Sequence, residues 1–263
     1  MQSSAELLSM RGRCVLITGA ASGIGRAMAL RFADAGADLD LVDIDAAGLA
    51  HLAEELACGG CQIRTYVVDL TDRAAIVALW EDMGGDQPDT LINNAGSYPM
   101  RNFEEVDCRF LEKTFRVNLE SALWMSQGFI KKRKRKGGVI INVASVEALV
   151  PVRDDLIPYS VAKAGILALT RGLAHAYGRE GFRVNVLAPG AIHTPGTQRL
   201  RSSVMRNLDV DLLKTGIQFG TRLALGHWGE ADEVARVALF LASDLASYVH
   251  GAVIPVDGGF LTS

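Results

Sequence analysis

The 263 residues carry 27 Lys and Arg against 30 Asp and Glu, a formal net charge of −3, with 49% hydrophobic and 22% charged residues. That balance suits a chain that buries a large core; it excludes long disordered segments and gives no global electrostatic reason to hold nucleic acid. No run of about 18 apolar residues suggests a membrane span. The opening MQSSAELLSMRGR lacks the basic head and continuous apolar stretch of a secretory signal, so a cytoplasmic protein is expected.

Taken in chain order, CVLIT (Cys14 to Thr18) is a short apolar, β-branched run that stops at glycines and reads as a buried strand. A helical pattern follows from Ile24 to Ala35, then a strand DLDLVD (Asp38 to Asp43) and a helix in DAAGLAHLAEELA. IRTYVVD (Ile63 to Asp69) is the third strand, followed by a helix around AAIVALWEDM. DTLINNAG (Asp89 to Gly96) holds the fourth, and one long helix from about Phe103 to Lys132 leads into GVIINVAS, the fifth. A helix from about Pro158 to Tyr177 precedes the sixth strand, FRVNVLAPG, and GAVIPVDGG near the C-terminus supplies the seventh. Repeated strand, helix, strand units imply right-handed crossovers. The expected architecture is a single α/β domain spanning 1–263: a doubly wound, seven-stranded parallel sheet with helices on both faces and ligands beyond the carboxyl ends of the strands.

Two compositional features invite other readings. Of Cys14, Cys58, Cys61 and Cys108, only Cys58 and Cys61 stand close together, as CGGC; with no second ligand pair in reach, free thiols in a surface loop are expected and no metal. KKRKRK, Lys131 to Lys136, falls at a helix end, where cations complement the helix dipole and stay solvated. No aromatic or second basic cluster accompanies it to suggest a nucleic-acid patch.

The turn TGAASGIG (Thr18 to Gly25) joins the first strand to the first helix. Gly19 permits a tight turn, Gly23 lets backbone approach a pyrophosphate and Gly25 allows close packing, while the helix N-terminus offers N–H donors to an anion. Asp43 ends the next strand, where a carboxylate accepts from adenosine ribose hydroxyls and repels a 2′-phosphate. Ser22 and Ile44 offer no positive charge there, although Arg26 is near, so NAD(H) is favoured over NADP(H). Asp43 could instead be a solvated strand end or a cap for the next helix, a role open also to Asp45. Asp69 could bond the adenine amino group or cap a helix beginning at Thr71. In NNAG (Asn93 to Gly96), amide side chains and a glycine let a cofactor pass close to backbone.

TGAASGIG, NNAG, Asn118, Ser145, YSVAK (Tyr159 to Lys163) and PGAIHT occur in an order that resembles the short-chain dehydrogenase/reductase family, from about Arg11 to the C-terminus. The resemblance implies a Rossmann-type sheet, a nicotinamide cofactor, and a catalytic group of Asn118, Ser145, Tyr159 and Lys163. It further implies cofactor contacts from Gly19, Ser22, Gly23, Ile24, Gly25, Asp43, Asp69, Leu70, Asn94, Ala95, Gly96, Tyr159, Lys163, Pro189, Gly190, Ile192 and Thr194. The chemistry agrees. Residues four apart on a helix share a face, so Tyr159 and Lys163 converge. A free phenol, with a pKa near ~10, is a poor base at neutral pH. A neighbouring ammonium stabilises phenolate and lowers that value. Ser145 would stabilise charge on the substrate oxygen. Asn118, by resemblance, would shape its helix and retain a water in a relay to Lys163.

Ser145 and Tyr159 are one residue further apart than is commonest in the family, and Glu147 and Arg153 add charge to the connecting loop, with Glu147 expected to face solvent, or as the alternative to hydrogen-bond a polar substrate. Gly196 to Gly226, with Arg199, Arg201, Met205, Arg206, Leu212, Leu213 and Phe219, reads as part of a substrate lid at about 191–226. Tyr98 and His193 lie near the expected pocket, and His227 and Trp228 in a turn before the next helix. The C-terminal GAVIPVDGGFLTS resembles the family's dimer-forming edge, implying a homotetramer, or a homodimer as the alternative. The expected function is NAD(H)-dependent interconversion of a secondary alcohol and its ketone. The alternatives are a 3-oxoacyl thioester reductase of fatty-acid synthesis and a non-catalytic NAD-sensing protein.

Overall fold

The computed structural model describes residues 2–57, 60–84, 87–198 and 221–262. Among these, one parallel sheet contains β1 (Cys14–Thr18), β2 (Asp38–Asp43), β3 (Ile63–Val67), β4 (Thr90–Asn93), β5 (Gly138–Val143), β6 (Phe182–Pro189) and β9 (Val253–Val256). Two-residue strands β7 (Ile192–His193) and β8 (Gly229–Glu230) pair with each other. The spatial order is β3-β2-β1-β4-β5-β6-β9. It reverses between β1 and β4, and such a switch point opens a crevice at the strands' carboxyl ends.

Helices among the described residues include α1 (Ser4–Leu8), α2 (Gly23–Asp34), α3 (Ala46–Leu56), α4 (Arg73–Asp82), α5 (Cys108–Phe115), α6 (Ser121–Lys132), α7 (Ile157–Tyr177) and α8 (Ala231–Ala242). Alternation along the strands divides the core in two. On one face Val15, Ile17, Leu39, Leu41 and Ile141 pack under Met28, Phe32, Leu52, Ala238 and Leu241 of α2, α3 and α8. On the other, Leu16, Val42, Leu91 and Ile140 meet Leu79, Trp80, Met125, Phe129 and Ala174 of α4, α6 and α7. Strands covered on both faces need no polar alternation, which is why the middles of β1, β4 and β5 are continuously apolar. Each fully buried Leu, Ile or Phe contributes about 1.5–3 kcal/mol.

Local chemistry sets several boundaries. Asp45, Asp72 and Asp107 accept from the backbone N–H groups of Gly48, Ala74 and Phe110 at 3.0, 2.8 and 2.7 Å, capping α3, α4 and α5. Thus α4 starts after Asp72, and Asp69 is not its cap. Ser3 and Glu6 form a reciprocal capping box that starts α1, an element the sequence reading omitted.

The long helix expected from Phe103 to Lys132 is divided. After a single turn at Phe103–Glu105 and a separate start at Asp107, α5 gives way to a π-helical stretch, Arg116–Glu120, before α6. Arg133, in the basic run, turns inward to Pro88 O and Asp89, each at 3.1 Å, so that run is only partly solvated.

Candidate active site

The crevice begins at the glycine turn. Thr18, buried at the end of β1, accepts at Oγ1 from the backbone N–H groups of Asn94 (2.9 Å) and Ala95 (3.0 Å). Asn94 Nδ2 returns two bonds, to Thr18 O at 3.0 Å and Gly19 O at 3.1 Å. The ends of β1 and β4 are thereby stitched together. Thr18 was not among the candidate residues, although it opens the quoted motif. A Cβ on Gly25 would stand 2.0 Å from Gly19 O, which excludes any side chain there. A Cβ on Gly23 would meet Thr194 at 3.4 Å, so the turn faces the segment after β6 across a narrow gap. A backbone-lined floor at a helix N-terminus suits a pyrophosphate.

Asp43 holds the neighbouring edge. Its Oδ2 accepts from Ala21 N–H at 2.9 Å and its Oδ1 from Asp45 N–H at 3.0 Å, tying β2 to the glycine turn while Asp45 performs the capping. Arg26, directly after the motif, pairs with Glu55. Asp69 Oδ1 accepts from the N–H and hydroxyl of Thr71 at 2.9 and 2.8 Å, and Leu70 beside it is buried. Ser22 is the N-cap residue of α2 but makes no capping bond with its side chain, and Ile24 follows in the first turn.

Two of the catalytic candidates, Asn118 and Lys163, meet at Gly96. A Cβ placed there would lie 2.9 Å from Asn118 Oδ1 and 3.4 Å from Lys163 Nζ. Asn118, in the π-helical stretch, donates from Nδ2 to Thr114 O at 3.0 Å and accepts at Oδ1 from Ser97 N–H at 3.1 Å. A π-bulge re-aims a side chain that a straight helix would place elsewhere. Lys163 Nζ donates to Val143 O at 2.9 Å and lies 5.8 Å from the Tyr159 ring centroid. Ser145 stands close enough to Tyr159 to favour ionisation of its phenol. Tyr98 meets the Tyr159 ring edge-on, with centroids 5.2 Å apart.

Electrostatics in this pocket departs from expectation. Burial pushes the Tyr159 phenol above its ordinary value, and Ser145 opposes the rise only in part. The same burial brings Lys163 down to about 8, so its ammonium is held weakly. The buried pair therefore does not by itself make Tyr159 a ready base; desolvation dominates its ionisation in the bare protein. Burial also takes Tyr98 up to about 12, with Glu147 acting in the same direction.

Glu147 corrects another expectation. It is buried at 6% exposure, and its Oε2 accepts from Val152 N–H and the Ser160 hydroxyl, both at 3.1 Å. After β6, Gly190 N–H bonds Val256 O at 3.0 Å, which holds Pro189 and Gly190 against β9, and Ile192 is buried. Thr194 shares bonds with Thr197, whose hydroxyl also donates to Ile192 O at 2.9 Å; Thr197 is a second residue that the sequence reading missed. The rings of His193 and Trp228 stack at 5.3 Å, which brings Trp228 out of a mere turn and onto the segment after β6. Cys58 and the lid residues Arg199, Arg201, Met205, Arg206, Leu212, Leu213 and Phe219 lie outside the described residues.

A family model described as enoyl-(acyl carrier protein) reductase matches residues 19–261. Galactitol 2-dehydrogenase (L-tagatose-forming) of Cereibacter sphaeroides is 35% identical over 252 residues, 95% of either chain. The crystal structure of gluconate 5-dehydrogenase from Burkholderia cenocepacia in complex with NADP and tartrate superposes with a TM-score of 0.89 at 29% identity, covering 99% of this chain and 100% of that one. 7α-Hydroxysteroid dehydrogenase complexed with NADH and 7-oxo glycochenodeoxycholic acid gives 0.87 at 30% identity, with 98% of each chain covered. With its sheet order, glycine turn and matching relatives along nearly its whole length, the chain belongs to the short-chain dehydrogenase/reductase family, whose members here are nicotinamide-dependent oxidoreductases acting on CH–OH groups.

Proposed function

We propose that this protein is an NAD(H)-dependent secondary alcohol dehydrogenase and ketone reductase in which Ser145, Tyr159, Lys163 and Asn118 form the reacting site. The observation that carries the reading is the gathering of Asn118 Oδ1 and Lys163 Nζ around Gly96, with the Tyr159 ring centroid 5.8 Å from that Nζ. A bound nicotinamide supplies the hydride acceptor or donor. Tyr159 takes the substrate's hydroxyl proton in oxidation and returns it in reduction. The Ser145 hydroxyl donates to the substrate oxygen, where charge develops. Lys163 uses one of its three N–H donors on Val143 O, leaving two for ribose hydroxyls. Asn118 fixes the local backbone through Ser97 and Thr114, on the path of a proton relay to Lys163.

The preference for NAD(H) rests on Asp43 at the β2 edge and on the commitment of Arg26 to Glu55, which leaves that cation engaged elsewhere. The cofactor floor comprises Gly19, Ser22, Gly23, Ile24, Gly25, Asp69, Leu70, Asn94, Ala95 and Gly96, and the nicotinamide end Pro189, Gly190, Ile192 and Thr194. The whole chain forms one domain with a lid at about 191–226 and works in the cytoplasm as a homotetramer. An apolar depression lined by Phe103, Leu111, Phe115, Ile157 and Val161, on α5, its preceding turn and the start of α7, supports self-association.

The test is reduction of NAD+ and NADP+ by the purified protein across secondary alcohols, polyols, sugars and hydroxy acids, with Tyr159→Phe beside it. Turnover with NAD+ that disappears in the variant, whose NADH binding persists, is expected. Near-normal turnover in Tyr159→Phe overturns the assignment.

A further inference from the structure

Glu147 sits two residues after Ser145, in a loop that must absorb one more residue than its family commonly has. Its own N–H donates to Ser145 Oγ at 3.2 Å. Its Oε2 reaches across the loop to Val152 N–H and onto the first turn of α7 at Ser160, the residue after Tyr159. Ser160 Oγ is also 3.1 Å from Leu156 O, and its single proton goes to the stronger acceptor, the charged carboxylate. One residue thus bonds the serine through its backbone and, through its carboxylate, the far end of that loop and the tyrosine's helix. A buried carboxylate is costly unless it is bonded, and burial raises its pKa while Val152, Ser160 and Arg153 oppose the rise.

The same charge faces the reacting tyrosine. Around Tyr159 stand the Tyr98 ring from the loop after β4, Ser145 and Glu147 from the loop after β5, and Lys163 on α7. Around Glu147 stand Arg153, which makes a bidentate pair with Asp155, and Tyr98 beyond them. A negative charge near a phenol discourages its ionisation.

We propose that Glu147 is a positioning residue: its carboxylate locks the Ser145 loop onto the first turn of the Tyr159 helix, and its charge tunes how readily Tyr159 gives up a proton. The second half rests on the proposed roles of Ser145 and Tyr159; the first does not.

The experiment compares wild type with Glu147→Gln, Glu147→Leu and Ser160→Ala. Hydrogen exchange of the 146–158 segment reads the lock without any substrate. Oxidation of the panel alcohol that gives the fastest NAD+ reduction, followed from pH 6 to 10, reads the charge. Glutamine accepts the same two bonds without charge. It is expected to keep slow exchange at Val152 and to move the alkaline activation of turnover about 0.5–1 pH unit toward acid, the lower part of what a neighbouring charge produces. Leucine is expected to speed exchange and to lower kcat at least ~10-fold at every pH, with NADH binding retained. Ser160→Ala, a mild change that leaves the core intact, is expected to lower kcat several-fold with little change in the cofactor's KM.

Wild-type exchange at Val152 in Glu147→Leu overturns the lock, as does unchanged kcat in both Glu147→Leu and Ser160→Ala. An unmoved pH profile in Glu147→Gln overturns the tuning. Full activity in Tyr159→Phe would instead remove the assigned base while leaving the exchange result to stand or fall by itself.

Discussion

Lys163→Met should make the cofactor-free protein more stable at neutral pH while abolishing turnover. Burial alone brings the lysine from 10.5 to about 8, and at about 1.4 kcal/mol per pK step that corresponds to about 3 kcal/mol. The sign follows from proton counting. Between about 8 and 10.5 the unfolded chain holds the proton more tightly than the folded one, so stability rises with pH through that window; below it the full penalty is present. Methionine fills a similar volume without a charge but forfeits the bond to Val143 O, worth about 1 kcal/mol. The net gain at pH 7 is about 2 kcal/mol. Urea unfolding of both proteins at one protein concentration, at pH 7 and pH 10, measures it. The gap should close by pH 10. A variant less stable than wild type at pH 7, or a gap independent of pH, would refute the reasoning. The expected result is a stability cost accepted for function.

Arg64→Met strips the partner from Asp40, whose carboxylate is fully buried in β2 and takes bonds from Arg64 Nε at 2.6 Å and Nη2 at 3.0 Å. A loss of about 3 kcal/mol is expected in urea unfolding, the low end for a broken buried pair because the Arg64 side chain is 34% exposed, and Asp40→Leu added to it should restore most of that loss. Asp43→Asn keeps an acceptor for Ala21 N–H but removes the charge that repels a 2′-phosphate. The ratio of kcat/KM for NADP+ to that for NAD+ should rise about tenfold, equivalent to about 1.4 kcal/mol.

What the sequence determined by itself is what repeats locally. Val15, Leu16 and Ile17 alternate between faces because a strand has period two, and Tyr159 and Lys163 share a side because a helix places residues four apart together. The glycine turn was legible for a similar reason: backbone conformation and close approach favour one residue type, whatever surrounds it. Asp45 marks a helix start because capping is a bond made within three residues, although at the next helix Asp72 and not Asp69 takes that role.

Only the tertiary structure decided the properties that arise between distant segments. Thr18 became a junction because β4, more than 70 residues away, lies beside β1. Asn118 took its aim from a π-helical stretch that the apolar periodicity of 103–132 does not announce. Glu147 looked like a loop carboxylate until helix α7 and Val152 closed over it. Lys163 could be placed beside Tyr159 from spacing, but how tightly it holds its proton depends on how much water the assembled sheet and helices exclude. Desolvation is a sum over everything packed nearby, and no short stretch of sequence contains that sum.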